Sequence, residues 1–371
     1  MENIWDNIQD QTKVKEILNK ITETRRVPHA FIFSGNRGVG KFFTALQFSK
    51  YLYSTYYPDI AEYSIQKITN LQEPYVKLVM PLPRGKGETA DDGAIDKLTK
   101  DQIEEIQLSI NNKVSNPFHN FEIEDANTIK ISSIRDIKKF LNLNYESAPL
   151  RFIIINQAEL MNEQSQNALL KSLEEPPEGF FFILLTSEID KLLPTIQSRS
   201  WIVNFEPLSE KTVASILQEY FKIEENIALN LSHFADGSVF NALQLFEYNL
   251  DELLETTISI LRFALAKRFF SAYDSLQKKL ENKDHSELQI IIRMIKIWVN
   301  DVLKDKSGWD SFYYQKYAET LKKFNERFIN ANIENFYSKM DLLEDYCNQN
   351  LNLNVITLNI IFEITSLSLR K

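Results

Sequence analysis

In its N-terminal half the chain repeatedly presents a short run that is apolar almost throughout, followed by a segment with helical spacing. AFIFS (30–34) precedes an amphipathic segment from Phe42 to Tyr53, and TIKIS (128–132) precedes SIRDIKKFLNL. RFIII (151–155) leads into NEQSQNALLKSLEE, and FFFILLT (180–186) ends near a further short helix. Strands with no polar face must be covered on both sides, and strands that alternate with helices achieve this in a parallel sheet. An α/β module with flanking helices is therefore predicted. Ser132 or Ser133 is placed to cap the helix that follows TIKIS.

The turn after the first run reads SGNRGVGKFF (34–43). Gly35, Gly40 and Lys41 have the spacing of the phosphate loop G-x-x-x-x-G-K-[ST], but Phe42 takes the place of the hydroxyl residue. In a working loop the backbone N–H groups and the helix N-terminus hold phosphates, Lys pairs with the terminal phosphates, and the hydroxyl ligates Mg²⁺. Phe42 has no oxygen and adds apolar bulk beside a triphosphate. A glycine-rich turn that only joins strand to helix is the plainer alternative. The strand RFIII should end in carboxylates that bind the metal and activate water, yet Asn156 and Gln157 follow it. Neither carries the charge that those tasks need.

A chain of 371 residues is long enough for two or three domains. Its net charge of −9 argues against wrapping nucleic acid with a basic surface of its own. Cys347 is the single cysteine, which excludes a disulfide framework and a multi-cysteine zinc site. The start, MENIWDNIQD, has no secretory pattern and no apolar run approaches the roughly 20 residues of a membrane span, so a cytoplasmic protein is expected. Residues 54–127 break the strand–helix rhythm. Within them PLPRGKGETADDG (81–93) reads as a mobile surface loop, followed by a helix over about 99–112. From Leu208 strand signals nearly vanish. Ser209 precedes a helical pattern, Gly237 stands where a helix ends, and Ser238 is placed to cap the next. Beyond about 250 the pattern is long amphipathic helices, such as 286–303, whose apolar stripe reads as bundle core.

NALLKSLEEPP (167–177), then a strand, then LLPTIQSRS (192–200) resembles the core of the AAA+ clamp-loader subunits of bacterial replicative polymerases. RRVPHAFIFSGNRGVGK (25–41) is similar to the same family's segment through its phosphate loop, and WDNIQDQ (5–11) loosely to its N-terminal box. Pro176 and Pro177 must end the preceding helix, leaving Glu174 and Glu175 in its last turn, where negative charge is unfavourable by about 0.3–1 kcal/mol. A solvated pair of surface acids is the alternative to a functional reading there. The family's Ser-Arg-Cys motif matches Ser198, Arg199 and Ser200. The resemblance implies that Arg199 reaches the ATP of a neighbouring subunit, where the planar guanidinium fork meets charge on the transferring phosphoryl group. Without the resemblance, a solvated or salt-bridged surface Arg is the plainer reading. Active members open a lid helix with Gly-Ser-x-Arg, whereas here Gly237, Ser238 and Val239 precede Phe240; Thr186 matches the family's polar sensor.

The departures thus fall on metal (Phe42, Asn156), water activation (Gln157) and charge sensing in cis (Phe240), while Arg199 is kept. That pattern resembles the family's delta-prime type. The family's four-cysteine zinc module is missing from 54–127, so no zinc is expected. The resemblance implies an AAA+ module over 1–207 with an irregular insertion at about 54–127, a helical lid over 208–250 and an all-α oligomerising collar over 251–371. It further implies no intrinsic ATPase activity, no productive ATP binding at the degenerate loop of Gly35, Gly40 and Lys41, and no metal. The expected partners are gamma/tau-type and delta-type subunits, with the sliding clamp and primed DNA met through the complex, and no membrane. An ATP-hydrolysing gamma/tau-type subunit or other AAA+ remodeller remains an alternative. So does a DNA-binding adaptor whose loop, with Arg37 and Lys41, grips backbone phosphate.

Overall fold

A computed structural model describes residues 4–89, 92–121, 123–143, 147–280, 285–348 and 351–368. The chain divides into two compact units, Met1–Ala228 with Asp236–Phe240, and Leu229–Ala235 with Asn241–Lys371.

The first unit is built on a parallel sheet of five strands. They are β1 (Ala30–Ser34), β2 (Val76–Val79), β3 (Arg151–Asn156), β4 (Phe180–Thr186) and β5 (Trp201–Asn204), in the order β2-β3-β4-β1-β5. Ala30 pairs with Phe182, Phe31 with Trp201, Ile154 with Ile183 and Val76 with Phe152. The three central strands are apolar because both their faces are covered. On one face Ile32, Ile153, Ile155, Phe182 and Leu184 pack with Ile134 and Ile137 of helix Ile131–Leu141 and with Leu169 and Leu173 of helix Glu163–Glu174. On the other, Phe31 and Phe152 meet Phe48 and Tyr53 of helix Lys41–Tyr56, with ring centroids 5.2 and 6.2 Å apart.

TIKIS does not form a strand. Ile129 makes a single bridge to Met161, and the helix begins at Ile131 with extended Lys130 as its N-cap, so Ser132 and Ser133 lie inside it. Two strands of the sheet fall outside the sequence expectation: β5, and β2 inside the segment expected to be irregular, which also carries helices Ala61–Thr69 and Lys100–Ser115. As an edge strand β2 has only one partner, and its middle residues Lys77 and Leu78 are partly exposed.

The 81–93 segment also departs from expectation. Leu82 is buried beside Met80, Ala94 and Ile106. Glu88 and Lys130 form an ion pair of 2.6 Å whose side chains are 8 % and 7 % exposed. The Lys130 ammonium also donates to the Ala94 carbonyl at 3.0 Å, and the Glu88 carboxylate accepts from the Gly85 N–H at 2.8 Å. A buried ammonium requires a buried acceptor, and this loop supplies it. Residues 90 and 91 lie outside the described residues.

The helical pattern expected after Ser209 is helix Glu210–Phe221, and the Ser209 hydroxyl caps it by accepting from the Thr212 N–H at 3.2 Å. The second unit is helical throughout its described regular elements. The 22-residue helix His285–Lys306 presents Leu288, Ile291, Ile295, Trp298 and Val302 to its core, where Phe324, Phe336 and Ile360 also lie. Asp301, fully buried there, accepts from the Tyr314 N–H at 2.7 Å. Among the described residues no helix is long and apolar enough to cross a membrane.

Candidate functional site

The loop from β1 to helix Lys41–Tyr56 has the backbone that its glycines permit. Gly38 (φ +76°) and Gly40 (φ +91°) are left-handed, and a Cβ on Gly38 would strike the backbone of Phe240. Gly40 is the helix N-cap, and no side chain caps the first turn. Lys41 turns back: its ammonium donates to the carbonyl oxygens of Gly35 and of Asn36, the latter at 2.7 Å. Acceptors that a terminal phosphate would provide come here from the loop itself.

Phe42 faces inward, 5 % exposed. Its ring meets Phe121 edge-on at 5.8 Å, and the Lys113 ammonium lies 4.6 Å from the Phe42 centroid and 5.4 Å from that of Phe121. Lys113 ends its reach by donating to the His119 carbonyl at 2.6 Å. Phe118 packs on Phe43 at 5.8 Å and on Tyr220 at 5.1 Å. The segment after helix Lys100–Ser115 thereby folds over the phosphate loop. The cavity that remains, with Asn156, Gln157 and Thr186 in its wall, measures about 80 Å³. Pockets for drug-sized ligands run to roughly 300–1,000 Å³.

The electrostatics of this cavity are cationic. Burial lowers the Lys113 ammonium to about 7, and the charge of Lys41 pushes the same way. Desolvation also lowers Lys41 to about 8, with Glu159 opposing and Arg37 assisting. Glu159 is 9 % exposed; one of its oxygens accepts from the Ser187 hydroxyl at 2.7 Å, and the other has no hydrogen-bond partner.

Asn156 ends β3 and Gln157 follows in a left-handed turn (φ +55°). Both stand where the sequence places them, beside the loop. Thr186 ends β4 nearby, its hydroxyl accepting from the Glu188 N–H at 3.0 Å. Phe240 lies under the Arg37 guanidinium, 3.9 Å from ring centroid to Cζ, while the Ser238 hydroxyl donates to the Arg37 carbonyl at 2.6 Å. Ser238 therefore ties the 237–240 turn to the phosphate loop, a contact beyond the cap expected of it.

Arg199 is not among the residues lining this cavity. It follows the short helix Pro194–Gln197, and its guanidinium donates to the Thr195 carbonyl at 3.1 Å and to the Glu174 carboxylate at 2.8 Å. Ser198 is adjacent, with its hydroxyl 3.5 Å from the same guanidinium.

Sequence reasoning missed Lys113, Phe121 and Glu159. Only the doubled aromatics of NPFHNF (116–121) hinted at a packed segment, and nothing local ties them to a loop about 80 residues earlier. A ring and a lysine stand beside the loop position that the pattern gives to a hydroxyl ligand, and Asn156 offers no charge at the strand end. Among the described residues no cluster of three or more His, Cys, Asp or Glu side chains has the arrangement of a metal site.

Sheet order, loop and flanking helices define a phosphate-loop α/β module of the AAA+ type, followed by a helical C-terminal portion. Residues 10–209 match the model of the family described as "DNA polymerase III, delta subunit", and the chain belongs to that family. One relative is DNA polymerase III subunit gamma of Buchnera aphidicola subsp. Schizaphis graminum, 28 % identical over 243 residues, with 58 % of this chain and 66 % of that protein covered. The chain thus spans just under two thirds of that relative. DNA polymerase III subunit delta' of Bacillus subtilis is 24 % identical over 331 residues, covering 86 % of this chain and 85 % of the relative. A solved DNA polymerase III gamma subunit-related protein from Thermotoga maritima aligns over 94 % of this chain and 98 % of its own at 16 % identity and a TM-score of 0.37, a likeness too loose to bear on function.

Proposed function

We propose that this chain is a delta-prime-like clamp-loader subunit that does not hydrolyse ATP and lends Arg199 to the ATP site of a neighbouring subunit. One observation carries the reading: Phe42, which replaces the hydroxyl residue of the phosphate-loop pattern, packs with Phe121 and Lys113 beside the loop. Catalysis of phosphoryl transfer is mostly positioning and charge stabilisation, and a loop without the hydroxyl ligand beside a strand end without the metal carboxylate is poorly equipped for either. Arg199 has the opposite setting. It is partly exposed and lies two residues ahead of β5, an edge strand whose Trp201 and Ile202 are 51 % and 38 % exposed. An exposed Trp beside an Arg is the composition of a protein-docking hot spot. The proposed partners are a gamma/tau-type ATPase and a delta-type subunit, with the sliding clamp and primed DNA engaged through the complex.

The retained glycines, Lys41 and the gamma-named relatives favour the second reading, a subunit that hydrolyses ATP itself. Titration of the purified chain with ATP and Mg²⁺ separates the two. The proposal expects neither Mg²⁺-dependent tight binding nor turnover, and intrinsic turnover would refute it. Arg199→Ala, combined with wild-type gamma/tau-type and delta-type subunits, is expected to lower the ATPase stimulated by clamp and DNA while leaving the fold intact. Unchanged ATPase would refute the role of Arg199.

A further inference from the structure

Glu174 sits at the last helical position of Glu163–Glu174, ahead of Pro176 and Pro177. A carboxylate is unfavourable at that end of a helix, where backbone carbonyls already present negative charge. His29 relieves one of those carbonyls, its Nε2 lying 2.8 Å from the Leu173 oxygen. The carboxylate itself pairs with the Arg199 guanidinium at 2.8 Å.

The two segments that carry this pair are fixed to each other. Gln166, 3 % exposed on the same helix as Glu174, donates from its amide to the Lys191 carbonyl at 3.0 Å and accepts from the Leu193 N–H at 2.7 Å. Those bonds hold the start of helix Pro194–Gln197 against helix Glu163–Glu174. Gln197 adds amide donations to the Leu192 and Ile189 carbonyls at 2.9 and 3.1 Å. The segments that carry Glu174 and Arg199 are therefore tied together by partly buried hydrogen bonds, while the two side chains, 47 % and 36 % exposed, meet at the surface.

We propose that Glu174 is a positioning residue for Arg199: it orients the guanidinium before a neighbour docks. This rests on the reading of Arg199 as a group that acts in trans. A free Arg has many rotamers, and ordering it on binding costs affinity and rate; a carboxylate on a rigid helix orders it beforehand. One Nη holds the Thr195 carbonyl and the other holds Glu174. The Nη that holds Thr195 also lies 3.5 Å from the Ser198 hydroxyl, while the Nη that holds Glu174 keeps a second hydrogen that a phosphate oxygen can accept. A half-exposed pair is also weak enough to shift as phosphate charge approaches.

The test uses the full chain assembled with gamma/tau-type and delta-type subunits, with Mg-ATP turnover measured in the presence of clamp and primed DNA. Glu174→Gln is expected to lower kcat about five-fold with KM for Mg-ATP unchanged, and Glu174→Asp to recover part of the loss. Adding Glu174→Gln to Arg199→Ala is expected to cost nothing further, because both act through one group. Thermal melts of the isolated variants check that the surface change leaves folding intact. If Arg199→Ala impairs turnover and Glu174→Gln does not, or if their effects multiply, the positioning role is wrong and the reading of Arg199 stands. A higher kcat in Glu174→Gln would make Glu174 a competitor for the guanidinium and overturn the proposal. If Arg199→Ala has no effect, the reading of Arg199 fails first and this role falls with it.

Discussion

Replacing Lys113 by Met removes an ammonium that the fold buries at a cost. In the folded chain Lys113 is 7 % exposed, and burial lowers its pKa from 10.5 to about 7. Between those two values the unfolded chain holds the proton and the folded chain does not, so stability rises with pH over that window. Below about pH 7 both states are protonated and the full cost of charging the buried group is present. At about 1.4 kcal/mol per pH unit, the window corresponds to an upper limit of about 5 kcal/mol. Two features of the site oppose it. The hydrogen bond to the His119 carbonyl contributes about 1 kcal/mol, and the faces of Phe42 and Phe121 about 0.5–2 kcal/mol. Lys113→Met is therefore expected to stabilise the first unit by about 2–3 kcal/mol at pH 6.5, with the gain falling to within about 1 kcal/mol by pH 10. Urea unfolding of 5-fluorotryptophan-labelled chains, followed by fluorine NMR, reports the first unit through Trp5 and Trp201 apart from Trp298 and Trp309. Parallel stability curves for the two chains across that pH range would refute the reasoning.

Other substitutions probe the same structure. Phe42→Thr restores the hydroxyl of the phosphate-loop pattern but is expected to cost about 2–4 kcal/mol through the cavity it leaves. It is also expected to gain no Mg²⁺-dependent ATP affinity by calorimetry, since Phe121, Lys113 and Asn156 remain. Glu88→Ala leaves Lys130 charged and buried and is expected to lose about 3–5 kcal/mol in a thermal melt, part of which Glu88→Ala with Lys130→Met recovers. Gly38→Ala combines a left-handed φ with a collision against the Phe240 backbone. A loss of about 1–3 kcal/mol is expected, and an unchanged melting temperature would show that the 237–240 turn yields freely.

The central strands could be read from sequence because a strand between two others, covered on both faces, has no position for a polar residue: Phe31, Ile154 and Ile183 are all fully buried. The edge strands escaped for the complementary reason. VKLV and WIVN are four residues long with exposed positions, so their pattern resembles any surface segment. TIKIS misled because Ile129 and Ile131 are apolar for a different cause, the packing of a helix entrance. At the site, Lys41, Asn156 and Gln157 were readable because spacing from a strand end fixes where they fall, and Phe42 and Phe240 because each breaks a known pattern. The groups that fill the cavity were not, since Lys113 lies one residue past the expected helix end at 112 and reaches the loop only through tertiary folding. Glu159 differs again: it lies two residues beyond Gln157, and only the turn after β3 aims its carboxylate inward.

The strand order sets a schedule for synthesis. β1 hydrogen-bonds only to β4 and β5, so Ser34 waits for Thr186 and Asn204. At roughly 5–20 residues per second, β1 leaves the ribosome roughly 8–30 s before β4 exists to pair with it. Through that interval AFIFS is an apolar edge with open backbone groups, the kind of segment that aggregates or recruits a holdase. A neighbour made in time is its own following helix, where Phe48 meets Phe31 edge-on at 5.2 Å on one face. Slowing elongation between residues 57 and 180 lengthens that exposure, so the folding yield of this chain is tied to the pace of its translation as well as to its final stability.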